Sequence, residues 1–490
     1  MRPAASFALA FVASLALTGC SVGPDYLRPK LALPEAWRGA PPKPEAAAPA
    51  SLASLSWWEL FQDEELRALL TAALEENKDL RVAVTRVAQA RSRLGVTRAD
   101  QLPQLDARGR YSHERTSEKG VFPLPPGQEE NDLYALSSDA SFEVDLWGRL
   151  RRANEAARAE LLASEAARQT VLVTLVADVA STYLELRERD LELEITRRTA
   201  AARRQSLGIV RDRFESGLTS ALDLRQAETD LASTEALIPD LEREVIQTEN
   251  RLSILVGRFP GEIRRGSPLT GQTFPPEIPA GLPSALLQRR PDIRQAEESL
   301  VAANARIGVA KAAFFPEISL TGTYGVESVA LSDLFTGAAR VWQVGPRVTV
   351  PIFRGGRNRA NLELAEAEQE EALLRYEQAV HQAFREAEDA LVAHTKTRQA
   401  HIEQREAVRA ARETLAVAES RYGSGLTTYL NVLDTQRTLL SAEIAESRAL
   451  LAELASVVQL YRALGGGWND QSNIESHASS ADSGAAIATR

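Results

Sequence analysis

The side chain best suited to covalent chemistry occurs once in this 490-residue chain, as Cys20. A thiolate can attack an electrophile, ligate a metal or pair as a disulfide. One Cys and five His build neither a disulfide framework nor a Cys/His zinc site within one chain. Position supplies another reading. Arg2, an uncharged stretch rich in Ala, Leu, Val and Phe over 4–17, and the tetrapeptide Leu17-Thr18-Gly19-Cys20 have the form of a signal peptide ending in a lipobox. The apolar run is short for a membrane span and closes on small residues that let a processing enzyme reach the backbone. Cleavage would make Cys20 the N-terminus, carrying a diacylglycerol on sulfur and an acyl chain on nitrogen, with no other cofactor expected. Ser21 follows, in place of the Asp that retains lipoproteins at the inner membrane, so the expected destination is the outer membrane.

Other reactive side chains lead nowhere catalytic. His394 and His401 lie seven residues apart on one helix face and could meet across a seam, yet two His are half of a zinc site. Glu366, Glu368, Glu370 and Glu371 read as a solvated face with Arg partners. No nucleophile elbow, phosphate loop or histidine-bearing catalytic constellation is present, so no enzyme is expected. A formal charge of -10 without a basic stripe excludes a nucleic-acid partner. With 44% hydrophobic and 25% charged residues the chain is a folding sequence. Past the signal peptide no apolar run approaches about 20 residues, so a membrane crossing would have to be a β-barrel.

The elements that position these residues come in two copies, offset by near 210 residues. Asp79-Leu80-Arg81 recurs as Asp292-Ile293-Arg294. Ala90, Arg93, Gly95, Val96, Pro103, Gly109 and Tyr111 meet Ala303, Arg306, Gly308, Val309, Pro316, Gly322 and Tyr324. Ser216-Gly217-Leu218-Thr219, Leu231, Leu252 and Gly257 meet Ser424-Gly425-Leu426-Thr427, Leu439, Leu460 and Gly465 at an offset of 208. Each half reads as helix, two strands, long helix, helix. Arg149–Glu215 contains no Pro and one Gly in 67 residues, enough for a helix of about 100 Å. A second such segment spans 357–422, and 66–101 and 220–256 are also predicted helical. Leu224, Leu231, Ile238, Val245 and Leu252 repeat every seven residues. Leu433, Leu440, Ile444, Leu451, Leu454, Val458 and Tyr461 alternate in steps of three and four, interrupted by Arg437 and Ser447. These are coiled-coil seams. At the end of each long helix Gly217 and Gly425 can turn left-handed, and Ser220 and Thr428 are predicted to cap the next helix, with Asp223 and Asn431 three residues on.

Between helices the pattern changes to period two. Leu105, Ala107, Gly109 and Tyr111 alternate with Asp106, Arg108, Arg110 and Ser112. Leu136, Ala140, Phe142, Val144 and Leu146 alternate with Ser137, Asp139, Ser141, Glu143 and Asp145. Ile318, Leu320, Gly322 and Tyr324, then Trp342, Val344, Val348, Val350 and Ile352, do the same in the second half. A soluble sandwich would turn these faces inward, but the strands have membrane-spanning length and carry Tyr and Trp of the interfacial kind. Four strands cannot close a barrel, so the chain is expected to oligomerise. A dimer would give eight strands and a trimer twelve, the wider one leaving room for a lumen. Connections over 114–133 and 327–340 would be exterior loops.

The lipobox with Gly23-Pro24-Asp25-Tyr26, the stretch Gln288-Arg289-Arg290-Pro291-Asp292-Ile293-Arg294, the paired Ser-Gly-Leu-Thr tips and Leu464-Gly465-Gly466-Gly467-Trp468 resemble the TolC-like outer-membrane efflux proteins, lipoprotein branch. The resemblance runs from Cys20 to Trp468. It implies a mainly α fold with a membrane β-barrel: long helical hairpins forming a periplasmic α-barrel, and a homotrimer sharing a 12-stranded β-barrel. It implies a passive exit duct of a tripartite efflux pump, with a periplasmic adaptor and an inner-membrane RND-type transporter as partners. It also implies adaptor docking at Gly217, Leu218, Thr219, Gly425, Leu426 and Thr427, and a periplasmic gate at Leu430 and Asp434. The expected organisation is signal peptide 1–19, lipid-anchored arm 20–55, first repeat 56–257, linker 258–283, second repeat 284–468 and disordered tail 469–490. The competing readings are a structural coiled-coil envelope lipoprotein without a lumen, which leaves the strands purposeless, and a type I secretion exit duct.

Overall fold

The computed structural model describes residues 21–34, 37, 57–117, 129–272 and 286–466. Cys20, the signal peptide, most of the arm, the tip of the first exterior connection, the stretch 273–285 and the end from 467 onward lie outside the described residues. The helices are α1 (Trp57–Leu60), α2 (Glu64–Glu76), α3 (Lys78–Ala99), α4 (Arg149–Glu215), α5 (Ala221–Glu235), α6 (Leu237–Leu255), α7 (Leu286–Arg289), α8 (Pro291–Ala312), α9 (Arg357–Gly423) and α10 (Tyr429–Ala463). The strands are β1 (Gln104–Arg115), β2 (Glu130–Glu143), β3 (Glu317–Ser328) and β4 (Arg340–Thr349). No helix among the described residues is long and apolar enough to cross a membrane.

The two long helices stand where composition places them, each of 67 residues. The flanking helices of the first half are each broken once, contrary to expectation. Asn77 leaves helical geometry at φ -59°, ψ 130°, and its side chain accepts from Leu80 N at 2.9 Å, the local bond that makes Asn a terminator rather than a helix interior. Between α5 and α6 the reason is Pro239, in the first turn of α6, where its missing N–H costs nothing; mid-helix it would leave Glu235 O without a donor. The exterior connections are also shorter than predicted. β1 runs to Arg115, β2 starts at Glu130 and β3 reaches Ser328, while Val144, Leu146, Val350 and Ile352 fall beyond the strand ends.

The chain divides into two compact units. One takes the described residues up to Lys30 with Arg86–Glu165 and Gln295–Glu377; the other takes Leu31–Thr85, Ala166–Arg294 and the chain from Gln378. In the first, the strands form one antiparallel sheet in the order β1-β2-β3-β4. Ala156 and Ala159 of α4 pack on Ala302 and Ala305 of α8, small side chains that let two helices approach closely. The Gly23-Pro24-Asp25-Tyr26 segment lies along this unit. Val22 N donates to Trp147 O at 3.0 Å, Asn304 donates to Pro24 O at 3.0 Å, Asp25 pairs with buried Arg152 at 2.6 Å, and Tyr26 donates to Glu297 at 3.2 Å.

The second unit holds the larger apolar core, with Leu60, Leu70, Tyr183, Leu184, Leu186, Leu252 and Leu460 fully buried. Each such Leu contributes about 1.5–3 kcal/mol. Here both halves close in the same way. Asn77 donates to Leu255 O at 2.9 Å; Arg290 donates to Ala463 O at 3.0 Å, the carbonyl 208 positions later. Gly257 and Gly465 sit on the backbones of Glu76 and Arg289 so closely that a Cβ would lie 2.4 and 3.1 Å from them.

Asp63 anchors a polar hub in the same unit. One oxygen caps α2 by accepting from Glu65 N at 2.9 Å and Leu66 N at 3.3 Å. The other accepts from Tyr183 Oη at 2.9 Å, Ser267 N at 2.9 Å and Gln272 Nε2 at 2.7 Å. Burial pulls its pKa upward, but these bonds, led by Gln272 and Tyr183, outweigh it and hold the carboxyl below its ordinary value. A folded pKa below the unfolded one contributes stability that is present above the ordinary aspartate range and lost as pH falls through the folded value. Asp63→Asn is therefore expected to cost about 2–3 kcal/mol near neutrality and less in acid, in melts of both proteins across pH. A gap that stays constant with pH would show that the carboxylate's charge is not what the hub uses.

Candidate functional site

Each long helix ends in the same reversal. Gly217 and Gly425 take φ of 70° and 73°, and a Cβ on either would meet nothing within 4 Å, so the backbone conformation and not crowding calls for glycine. Leu218 N donates to Arg213 O and Leu426 N to Arg421 O, both at 2.8 Å, consuming carbonyls the helix end would leave unpaired. The leucines thus project at the two apices, 70% and 68% exposed, and contribute nothing to the chain's own core.

The tips differ in how the next helix begins. Ser220 closes a reciprocal box with Asp223, and Thr219 Oγ1 adds a bond to Asp223 at 2.6 Å. Burial opposes ionisation of Asp223, but the Thr219 and Ser220 bonds prevail and lower its pKa. The cap predicted at Thr428 is not made: its side chain forms no capping bond. Asn431 stands where Asp223 does and offers an amide donor, which goes to Thr427 Oγ1 at 2.6 Å. Beside this second tip, α9 and α10 enclose an open groove of about 480 Å³ with Glu413, Val417, Arg421, Thr427 and Asn431 in its walls. Leu430, 54% exposed, and Asp434, also exposed, lie one turn apart on one face of α10.

Sequence reading missed the polar layer just behind the tips. Asp230 of α5, 2% exposed, meets Arg203 of α4 at 2.9 Å and Arg437 of α10 at 2.8 Å. Burial lowers the Arg203 pKa, with Asp230 opposing and Arg437 adding to the shift. Arg213 stacks over the Tyr422 ring at 4.9 Å, and Tyr422 leans on Tyr429 at 5.3 Å. Glu443 is gripped by Arg198 and Arg412, both at 2.9 Å. The available signal was Arg437 itself, which interrupts the α10 seam because it reaches for a buried carboxylate. Ser447, the other interruption, donates to Glu188 at 3.1 Å. His394 and His401 do not share a site; they bond separately to Ser456 at 3.1 Å and Glu453 at 2.5 Å on α10. Glu366, Glu368, Glu370 and Glu371 are exposed, and Glu371 pairs with Arg375.

In the sheet, paired residues share a face, and the register aligns the apolar positions across all strands. Gly109 pairs with Leu136 and Leu136 with Val326; Leu105 with Ala140, Ala140 with Gly322 and Gly322 with Val344; Tyr324 with Trp342. Trp342 and Val344 are 71% and 74% exposed, so this face has no cover among the described residues. On the opposite face Asp139 receives a bond from Thr323 at 2.7 Å and pairs with Arg108 at 3.5 Å. A sheet apolar on one side and ionic on the other suits a wall between lipid and water.

A sequence model of the family described as "outer membrane efflux protein" matches residues 69–258 and 282–466. The chain is 37% identical over 469 residues to the solvent efflux pump outer membrane protein SrpC of Pseudomonas putida, covering 95% of this chain and 99% of that protein. It is 35% identical over 461 residues to the cation efflux system protein CusC of Escherichia coli O157:H7, covering 94% and 98%. Among solved structures, the open state of the MtrE outer membrane channel of Neisseria gonorrhoeae superposes with a TM-score of 0.82 at 34% identity, covering 92% of this chain and 99% of that one.

Proposed function

Because this chain belongs to the outer membrane efflux protein family, and is an outer-membrane efflux channel and not an enzyme, we propose that it works as a homotrimer whose pooled sheets form the pore. Three sheets of four strands give twelve, which closes a barrel wide enough for solutes where four strands cannot. The observation that carries this reading is the in-register apolar face of the sheet, exposed in the single chain and matched to lipid. Cys20 would carry a diacylglycerol and an acyl chain as the anchor. The segment that follows supports this, since Val22 is fastened to Trp147 in the connection from β2 to α4, where the sheet gives way to the long helix.

The tips at Gly217, Leu218 and Thr219 and at Gly425, Leu426 and Thr427 would receive a periplasmic adaptor that joins the channel to an inner-membrane transporter. One relative is named for solvents and another for cations, so cargo choice belongs to the transporter rather than to this fold. Heat-resistant trimers in outer-membrane fractions, together with hypersensitivity to exported compounds on deletion, are the expected results. A monomer in those fractions, or a deletion strain with unchanged susceptibility to every compound tried, would overturn the proposal.

Leu430 and Asp434 would narrow the periplasmic mouth. Three Asp434 carboxylates drawn to one axis repel each other and attract cations, so the narrowed state is held against that repulsion. Asp434→Ala is expected to change the conductance of the resting channel severalfold in planar bilayers and to weaken its preference for cations. A resting conductance and ion preference identical to the parent's would remove Asp434 from the gate.

A further inference from the structure

Glu188 of α4 is 0% exposed. One carboxylate oxygen accepts from Ser447 Oγ of α10 at 3.1 Å. The other has no hydrogen-bond partner and faces Arg189 Nη1 at 3.4 Å. Arg189 is shared: it also pairs with Glu192 at 2.9 Å and with Glu244 of α6 at 3.3 Å. Arg448 of α10 pairs with Glu192 at 2.9 Å. The groups around Glu188 are thus Arg189 and Glu192 on its own helix and Ser447 and Arg448 on α10, with Glu244 on α6 competing for Arg189. Among the described residues Arg189 is the one cation that reaches Glu188, and it is divided among three carboxylates, while Arg448 serves Glu192 and Arg243 approaches Glu244 at 3.9 Å.

A carboxylate removed from water, with one oxygen lacking a hydrogen bond and only a shared cation beside it, is costly, and taking up a proton lowers that cost. We propose that Glu188 is a single-proton site at the seam between the two repeats, and that the bound proton fastens α10 to α4. A proton on the oxygen facing Ser447 lets Glu188 donate to Ser447 Oγ, while the other oxygen becomes a neutral carbonyl directed at Arg189. The position 208 residues later is Lys396, an exposed side chain bonded to Gln399. The second repeat therefore lacks the site, and it is not a by-product of inherited hairpin packing.

Burial drives the Glu188 pKa up, Arg189 opposes, and Glu192 pushes further upward, with the net shift raised. A folded pKa above the unfolded one contributes stability that is fully present below the ordinary glutamate value and is lost as pH rises through the folded value. The seam should tighten in acid and loosen toward alkaline pH, the reverse of the Asp63 hub.

Thermal melts of the full-length trimer in detergent, at fixed protein concentration across acid to mildly alkaline pH, test this with Glu188→Gln, which keeps the shape and abolishes the charge. The variant should match or fall slightly below the parent in acid and exceed it by several degrees at the alkaline end. Parallel curves would overturn the proposal. Glu192→Gln provides an independent reading, since removing the neighbouring charge should lower the Glu188 pKa toward its ordinary value, so that the loss of stability with rising pH becomes smaller and is complete at a lower pH than in the parent. An unmoved profile in that variant would overturn it equally.

Discussion

Arg290→Ala is expected to destabilise the protein by about 1.5–3 kcal/mol, the cost of removing charge-assisted hydrogen bonds to two half-buried carboxylates. Arg290 is buried and makes a two-pronged contact with Asp292 at 2.6 and 3.0 Å. The same guanidinium reaches Glu386 of α9 at 2.7 Å and the Ala463 carbonyl of α10 at 3.0 Å. One side chain therefore ties the start of α8 to both helices of the second hairpin. Burial raises the Glu386 pKa, but the bond from Arg290 reverses the sign and the net value is lowered. Its contribution is present above the ordinary glutamate range and lost as pH falls, so the parent's advantage over Arg290→Ala should shrink in acid. Arg290→Lys keeps the charge without the planar fork and should fall between the two. Unfolding curves at fixed protein concentration measure this, and a loss below about 1 kcal/mol would mean that the tie is solvated after all.

The repeat register made much of this arrangement legible. Aligning Asp79 with Asp292 and Gly257 with Gly465 places Asn77 opposite Arg290, and the structure uses both for one task, a bond to the last carbonyls of the returning helix. Helix length was equally readable, because a 67-residue stretch without Pro has few alternatives. The hidden part is of a different kind. The Asp63 hub gathers positions 63, 183, 267 and 272, and periodicity carries no information about partners so far apart. The polar layers behind the tips were visible only as defects, Arg437 and Ser447 breaking an apolar seam. The missing Thr428 cap shows the same limit at short range. Asn and Asp look interchangeable at the third helical position, yet only the carboxylate closes the box.

That local difference leaves the two tips alike where a partner would touch them and unlike behind it. Leu218→Asp combined with Leu426→Asp should reduce efflux to the level of a deletion strain while the protein is still exported and trimeric. Both leucines are spent outside the fold, so their loss removes no core contact. Burying an exposed Leu at an interface is worth about 1.5–3 kcal/mol, and an Asp there adds the cost of drying a charge. Repeated over two tips in each of three chains, that exceeds what a transient assembly can absorb. Single variants should retain partial efflux. The Leu426 change should be the milder one if Asn431 and Thr427 let the second tip adjust, and the more severe if the groove formed by Val417, Arg421 and Asn431 supplies the main seat. Drug susceptibility together with pull-down of the adaptor separates these outcomes. A double variant that is trimeric, binds adaptor and exports at parental levels would remove the leucine apices from the docking surface.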